Sequence, residues 1–352
     1  MNAKKIQNKL VEKGLDAIVL FSSENIRYAS NFFITGGAAV ITRTRAWLFT
    51  DSRYIEAARQ QCIGVEAELY NADRPLVKCI KEALAGCEKI GAEEKKLAYA
   101  AWHDYEDKLG IHFIPAQDVI GELRAVKEQY EVDSIVAAQR IAESALDEVL
   151  GLIKPGVKER DIAAELTYRM MLKGGEGNSF DPITITGAKT SMPHGVPGDE
   201  IVRDGDFFTM DFGCLKNGYC SDMTRTVAVG HVTDEMKKVY DTVLEAQLAG
   251  IAAAKAGVPG MDIHNAAVKV ISDAGYGPYF GHGFGHSLGL EIHEAPNANP
   301  ANRLPMPAGA VISAEPGIYI PGRFGVRIED MLWLTETGNI NLTKAPKELI
   351  VL

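Results

Sequence analysis

Apolar positions in the first third of the chain switch between a helical period and short continuous runs. Residues 4–13 carry apolar side chains at helical spacing and stop at Gly14, a residue suited to the left-handed turn that ends helices. Residues 17–21 form an apolar run of strand length, and residues 38–42 and 46–50 read as a pair of strands. Asp51-Ser52 can cap a helix that reaches Gln61. A strand over 65–70, a helix over 75–84 and a strand over 111–115 continue the alternation. This part reads as an α/β domain. Its two histidines, His103 and His112, stand apart and suggest ordinary surface or core roles.

A charged stretch over 124–133 marks a change of rhythm. Beyond it the pattern predicts helices over 133–153 and 158–172, then strands, then helices over 233–256 and 261–274, then strands again. The helix pairs break at Pro155-Gly156 and at Gly257-Val258-Pro259-Gly260. Gly156-Val157-x-x-x-Asp161-Ile162 recurs as Gly257-Val258-x-x-x-Asp262-Ile263, and the flanking helices and strands line up as well. The second part therefore reads as two related halves, with a cleft between them as the natural place for a site. The expected domains are 1–123 and 124–352.

The chemistry concentrates in the second domain. Residues 207–213 read as a strand carrying Asp211. Lys216-Asn217-Gly218 reads as a hairpin turn, and 219–229 as the return strand carrying Asp222. A turn centred near Lys216-Asn217 would set Asp211 and Asp222 almost opposite one another. Carboxylates that close repel unless a proton or cation lies between them. The apolar flanks Phe207, Phe208, Met210 and Phe212 argue against a pair of exposed turn residues. The other half repeats the layout: a strand over 310–320 with Glu315, a turn over 321–325, and a strand over 326–334 on which Arg327 and Glu329 share a face. His286 follows His282 in a glycine-rich segment, and His194 and His293 lie in similar Gly/Pro-rich surroundings. Four carboxylates balance two divalent cations. Oxygen ligands with one imidazole favour manganese, with cobalt, iron or zinc as alternatives. No dinucleotide loop, phosphate-binding loop or nucleophile elbow is present.

Composition narrows the partners. The chain has 352 residues, is 46% apolar and 24% charged, and carries a net charge of −10, which argues against nucleic-acid binding. No run approaches the ~18 apolar residues of a membrane span, and no secretory signal is expected. Cys62, Cys79, Cys87, Cys214 and Cys220 are widely spaced and odd in number, which fits a reducing, cytoplasmic setting. Cys220 reads as a packed side chain near Asp222, and Tyr219 and Tyr319 as candidates for the cleft wall.

These residues resemble the proline-peptidase branch of the pita-bread metallopeptidases, which comprises Xaa-Pro aminopeptidases and Xaa-Pro dipeptidases. The matching segments are Pro193-His194-Gly195, Asp211-Phe212-Gly213, 221–226, Gly283-Phe284-Gly285-His286, His293-Glu294-Ala295-Pro296, Glu315-Pro316-Gly317 and 326–330. The resemblance covers essentially the whole chain. It implies an α+β pita-bread catalytic domain with internal pseudo-two-fold duplication, preceded by a creatinase-type α/β domain. It further implies that Asp211, Asp222, His286, Glu315 and Glu329 hold two metals, with Asp222 and Glu329 bridging. A bridging hydroxide would attack the Xaa-Pro bond, and Glu315 would carry the proton. His282 and His293 would contact substrate, His194 would line the pocket, and Arg327 would hold nearby carboxylates. The substrate would be a peptide with proline second, and the family resemblance implies a homodimer. Some prolidases place an arginine just after the His-Glu-x-Pro segment, where this chain has Asn297, and the next arginine is Arg303. That departure favours an aminopeptidase over a strict dipeptidase. A non-catalytic relative would have lost ligands, and none is missing. Hydrolysis of another amide or ester stays open as an additional activity.

Overall fold

The computed structural model describes residues 2–352 and divides into two compact units, one ending at Arg124 and one spanning Ala125–Leu352. The first unit runs α1 (Asn2–Glu12), β1 (Ala17–Leu20), α2 (Ser23–Ser30), β2 (Ala38–Thr42), β3 (Ala46–Thr50), α3 (Ile55–Gln61), β4 (Glu66–Leu69), α4 (Leu76–Ala83), β5 (Ile90–Ala92), α5 (Tyr99–Leu109), β6 (Phe113–Pro115) and α6 (Gln117–Ala125). Its six strands form one mixed sheet in the order β4-β3-β2-β1-β5-β6. Four of these elements escape the hydrophobic pattern for identifiable reasons. α2 buries the polar side chains Asn25 and Ser30, and α5 buries only Leu109. α6 mixes charged residues into a short span. β5 has three residues, and its Gly91 leaves room for the Cβ of Ala116. His103 and His112 both lean on Glu106, at 3.0 and 3.7 Å.

The second unit opens with α7 (Gln129–Leu150), four residues earlier than the pattern predicts. Glu128 and Glu131 form a reciprocal capping box that starts the helix inside the charged stretch. Next come α8 (Glu159–Leu172), β7 (Gly177–Asn178), β8 (Ile183–Thr186), β9 (Phe207–Phe212), β10 (Cys214–Lys216), β11 (Tyr219–Cys220) and β12 (Met223–Ala228). The other half supplies α9 (Asp234–Ala253), α10 (Gly260–Asp273), β13 (Gly285–Ser287), β14 (Glu294–Ala298), β15 (Val311–Ala314), β16 (Gly317–Ile320), β17 (Phe324–Arg327), β18 (Asp330–Leu334) and β19 (Asn339–Asn341). No helix among the described residues is long and apolar enough to cross a membrane.

The sequence repeat is also a structural one. Gly156 N–H donates to Val202 O and Val202 N–H to Val157 O, both at 2.9 Å. In the other half Gly257 N–H donates to Met306 O at 2.9 Å and Met306 N–H to Val258 O at 3.0 Å. Both glycines take positive φ, 96° and 80°, which explains the glycine at each repeat. Each helix pair covers the strands of its own half. Phe208, Met210, Phe212 and Met223 pack with α7 and α8, while Phe284, Ile312 and Ile318 pack with α9 and α10. Burying each such phenylalanine contributes about 1.5–3 kcal/mol. Because side chains alternate along a strand, the opposite face of β9 and β12 presents Thr209, Asp211, Thr224 and Thr226.

Two sequence expectations need correction. The hairpin after β10 turns on Asn217 (φ 51°) and Gly218 (φ 74°), with Lys216 paired to Tyr219, because a two-residue turn of this hand needs positive φ at both central positions. That register pairs Asp211 with Thr224, so Asp222 stands two residues off Asp211 on a diagonal. The strands expected over 310–320 and 326–334 are each interrupted. Glu315 lies between β15 and β16, and Glu329 between β17 and β18. Asp222 likewise sits between β11 and β12. Ladder bonding gives way where carboxylates must turn inward.

Candidate metal centre

Asp222, His286 and Glu329 bring ligand atoms within 4.8 Å of one another. Glu315 joins through His286, whose Nε2 lies 3.3 Å from Glu315 Oε1 and 3.5 Å from Asp222 Oδ2. The pairings Ala314↔Asp330 and Gly317↔Arg327, continued across the break, set Glu315 opposite Glu329. Asp211 adjoins through Arg327, whose Nη2 donates to Asp211 Oδ2 at 2.6 Å. The residues of the expected ligand set thus come from three broken strand junctions and two strands, Asp211 on β9 and His286 on β13.

The surroundings fix each group. The Nδ1–H of His286 donates to Ser287 O at 3.2 Å, leaving the Nε2 lone pair for a cation. Ser313 Oγ accepts from His286 N–H at 3.0 Å and donates to Glu315 Oε1 at 2.9 Å. Arg327 also donates from Nη1 to the Tyr319 hydroxyl at 3.0 Å and to Pro193 O at 3.3 Å. The Tyr319 hydroxyl is 3.0 Å from His282 Nε2, and His282 Nδ1–H donates to Gly283 O at 2.8 Å. With Nδ1 protonated, His282 Nε2 accepts from Tyr319. His293 packs edge-on against His286, ring centroids 4.4 Å apart. His194 is exposed, yet it bears electrostatically on both His282 and His293.

Burial, then mutual repulsion, raises Asp222 and Glu329 well above the usual carboxylate range, and burial raises Glu315. Burial lowers His282, His286 and His293, which favours neutral imidazoles.

The family model for the Creatinase/Prolidase N-terminal domain matches residues 3–126, and that for Metallopeptidase family M24 matches residues 133–336. The chain belongs to metallopeptidase family M24. The Xaa-Pro dipeptidase of Pyrococcus horikoshii is 35% identical, covering 99% of this chain and 98% of its own length. Among solved structures, the Xaa-Pro dipeptidase from Bacillus anthracis matches with TM-score 0.95 and 38% identity, covering 100% of this chain and 99% of that one. The X-Pro aminopeptidase from Thermotoga maritima matches with TM-score 0.92 and 34% identity, over 98% of this chain and 100% of that one. The fold is the pita-bread fold preceded by a creatinase-type domain.

The donor set fits the divalent metals of an M24 enzyme. Asp211 Oδ1, Asp222 Oδ1 and Glu329 Oε1 are buried with no hydrogen-bond partner in the structure. One such acceptor is costly; two of the three belong to residues grouped with His286, and Asp211 adjoins them through Arg327, so the set calls for a cation. Hard oxygens with a single nitrogen suit the same conclusion.

Sequence reasoning passed over three residues that shape this M24 centre. Thr224 binds Glu329, Ser313 links His286 to Glu315, and Arg225 donates to Glu329 O at 2.6 Å and to Asp330 Oδ1 at 2.8 Å. Strand alternation around Asp211 and Glu315 could have flagged Thr224 and Ser313. Of the two candidate tyrosines, Tyr319 reaches the site. Tyr219 instead donates to Glu131 at 3.0 Å. Burial pushes the Cys220 thiol up to about 12, so it packs as a neutral side chain. Arg303 is exposed in the segment that follows β14.

Proposed function

We propose that this metallopeptidase hydrolyses the bond between an N-terminal residue and a following proline, acting as an Xaa-Pro aminopeptidase on peptides. The observation that carries the reading is the trio of buried, unpartnered carboxylate oxygens on Asp211, Asp222 and Glu329, two of these residues grouped with His286. Relatives named for Xaa-Pro dipeptidase and X-Pro aminopeptidase activity support the substrate class.

In this reading Asp211, Asp222, His286, Glu315 and Glu329 would hold two divalent ions, manganese by preference. Bound ions would activate water and polarise the scissile carbonyl. Glu315, raised by burial and steadied by Ser313, takes a proton at Oε2 and returns it to the proline nitrogen. His282 and His293 face the carbonyl oxygen as charge develops there. His194 lines the pocket, and Arg327 fixes Asp211 and Tyr319 together. The free cysteines support a reducing compartment, the cytoplasm.

Asn297, the partner of His286 across β13 and β14, stands where a carboxylate-binding arginine would favour dipeptides. A second reading, the strict dipeptidase, draws on Arg303 and on the dipeptidase names among the relatives. The test is hydrolysis, in Mn²⁺ buffer, of an Xaa-Pro dipeptide and of the same sequence extended by several residues. Comparable efficiency on both supports the aminopeptidase. Cleavage of the dipeptide alone supports the second reading, and cleavage of neither sinks both.

A further inference from the structure

The first residue of α8, Glu159, is fully buried and lies outside the metal centre. Its carboxylate gathers three donors from two separated points of the chain. Oε1 accepts from Thr186 N–H at 2.8 Å, at the end of β8. Oε2 accepts from Gly198 N–H at 2.9 Å and from Lys189 Nζ at 2.7 Å. Thr186 and Gly198 are the two ends of the loop that carries Pro193-His194-Gly195.

That loop adjoins the site at two further points. Thr190 Oγ1 accepts from Gly325 N–H at 2.8 Å, and a Cβ on Gly325 would come within 2.3 Å of Thr190 O. Pro193 O is held by Arg327, the same guanidinium that holds Asp211. At the loop's tip Met192 and Val196 are 57% and 76% accessible, and His194 is exposed beside buried Gly195. Short turns within the loop, Met192 N–H to Lys189 O and Gly195 N–H to Met192 O, both 2.9 Å, shape the segment that carries His194. A buried carboxylate that satisfies both loop ends at once closes the loop, and the N-terminal end of α8 favours its charge.

We propose that Glu159 is a positioning residue for the substrate pocket, clamping residues 187–197 so that His194 is held at the rim of the metal centre. The pocket role of His194 and the identity of the substrate rest on the peptidase reading above. Glutamine at this position would replace one acceptor oxygen with an NH₂ group facing a donor. Methionine at position 189 would remove the clamp's cation while keeping its carboxylate.

The experiment compares full-length wild type with Glu159→Gln and Lys189→Met. It reads KM and kcat on an Xaa-Pro peptide, Mn²⁺ affinity by calorimetry, and amide exchange across residues 187–197. Both variants are expected to raise KM about tenfold, leave kcat and Mn²⁺ affinity within about twofold, and speed exchange in the loop. Unchanged exchange in a folded variant overturns the proposal. So does a parallel fall in kcat and Mn²⁺ affinity, which would mark Glu159 as general scaffolding. Should Glu159→Gln fail to fold, Lys189→Met decides alone. If wild type cleaves no Xaa-Pro peptide, the peptidase reading fails, and the exchange measurement still decides the clamp.

Discussion

The hydroxyl of Thr224 donates a 2.8 Å hydrogen bond to Oε2 of Glu329, 105 residues further along the chain. Arg327 Nε donates to the same hydroxyl at 3.0 Å. One threonine thus joins the two halves of the duplicated unit and leaves Glu329 Oε1 free for a cation. Thr224→Val keeps the shape and removes both bonds. It is expected to weaken Mn²⁺ binding about 10–100-fold, as loss of a ligand's hydrogen-bond partner typically does. Thr224→Ser should restore most of the affinity. Calorimetric titration of both variants checks this.

Metal removal should make stability fall with rising pH. Asp222, Glu315 and Glu329 have folded-state pKa values raised by burial, so the metal-free native state holds protons that the unfolded chain releases. Stability therefore decreases as pH rises from the ordinary carboxylate range, near 4, through the raised folded values. His282, His286 and His293 are lowered by burial, so their contribution has the opposite sign and is complete above the ordinary imidazole value, near 6.5. Thermal melts of chelator-treated protein between about pH 7 and pH 9 should therefore show Tm falling across that window. Saturating Mn²⁺ should flatten the trend. A metal-free Tm that rises across the window would contradict the burial argument.

Lys127 and Glu294 form an ion pair at 3.1 Å with side chains only 1% and 6% accessible, and Lys127 also donates to Ser287 at 3.1 Å. Glu294 follows His293, and Ser287 follows His286, so one ammonium steadies both histidine segments. Lys127→Met leaves the carboxylate buried without this cation. It should destabilise the protein by about 3–5 kcal/mol in urea unfolding. Lys127→Arg should lose less.

The legible part of this molecule was its periodicity and its chemistry-bearing residues. The long helices and the repeated Gly-Val breaks follow from local pattern, because each element's apolar face packs within its own half. The strand interruptions at Asp222, Glu315 and Glu329 do not, because they arise from contacts between distant segments. Gly213 is an example. A Cβ there would come within 1.9 Å of Ser221 O, a close approach that no window around residue 213 reveals. The Arg327–Tyr319–His282 chain was equally hidden, since its members are brought together only by the β16–β17 hairpin and the glycine-rich segment.

The central claim is metal-dependent cleavage before proline by a centre in which Glu315 moves the proton. The most direct measurement is product release, by mass spectrometry, from two peptides that differ only in proline or alanine at the second position, using Mn²⁺-loaded wild type and Glu315→Gln. Wild type is expected to free the first residue from the proline peptide alone. Glu315→Gln should lose at least about 10²-fold in rate. Equal cleavage of both peptides, or an undiminished Glu315→Gln enzyme, would contradict the account.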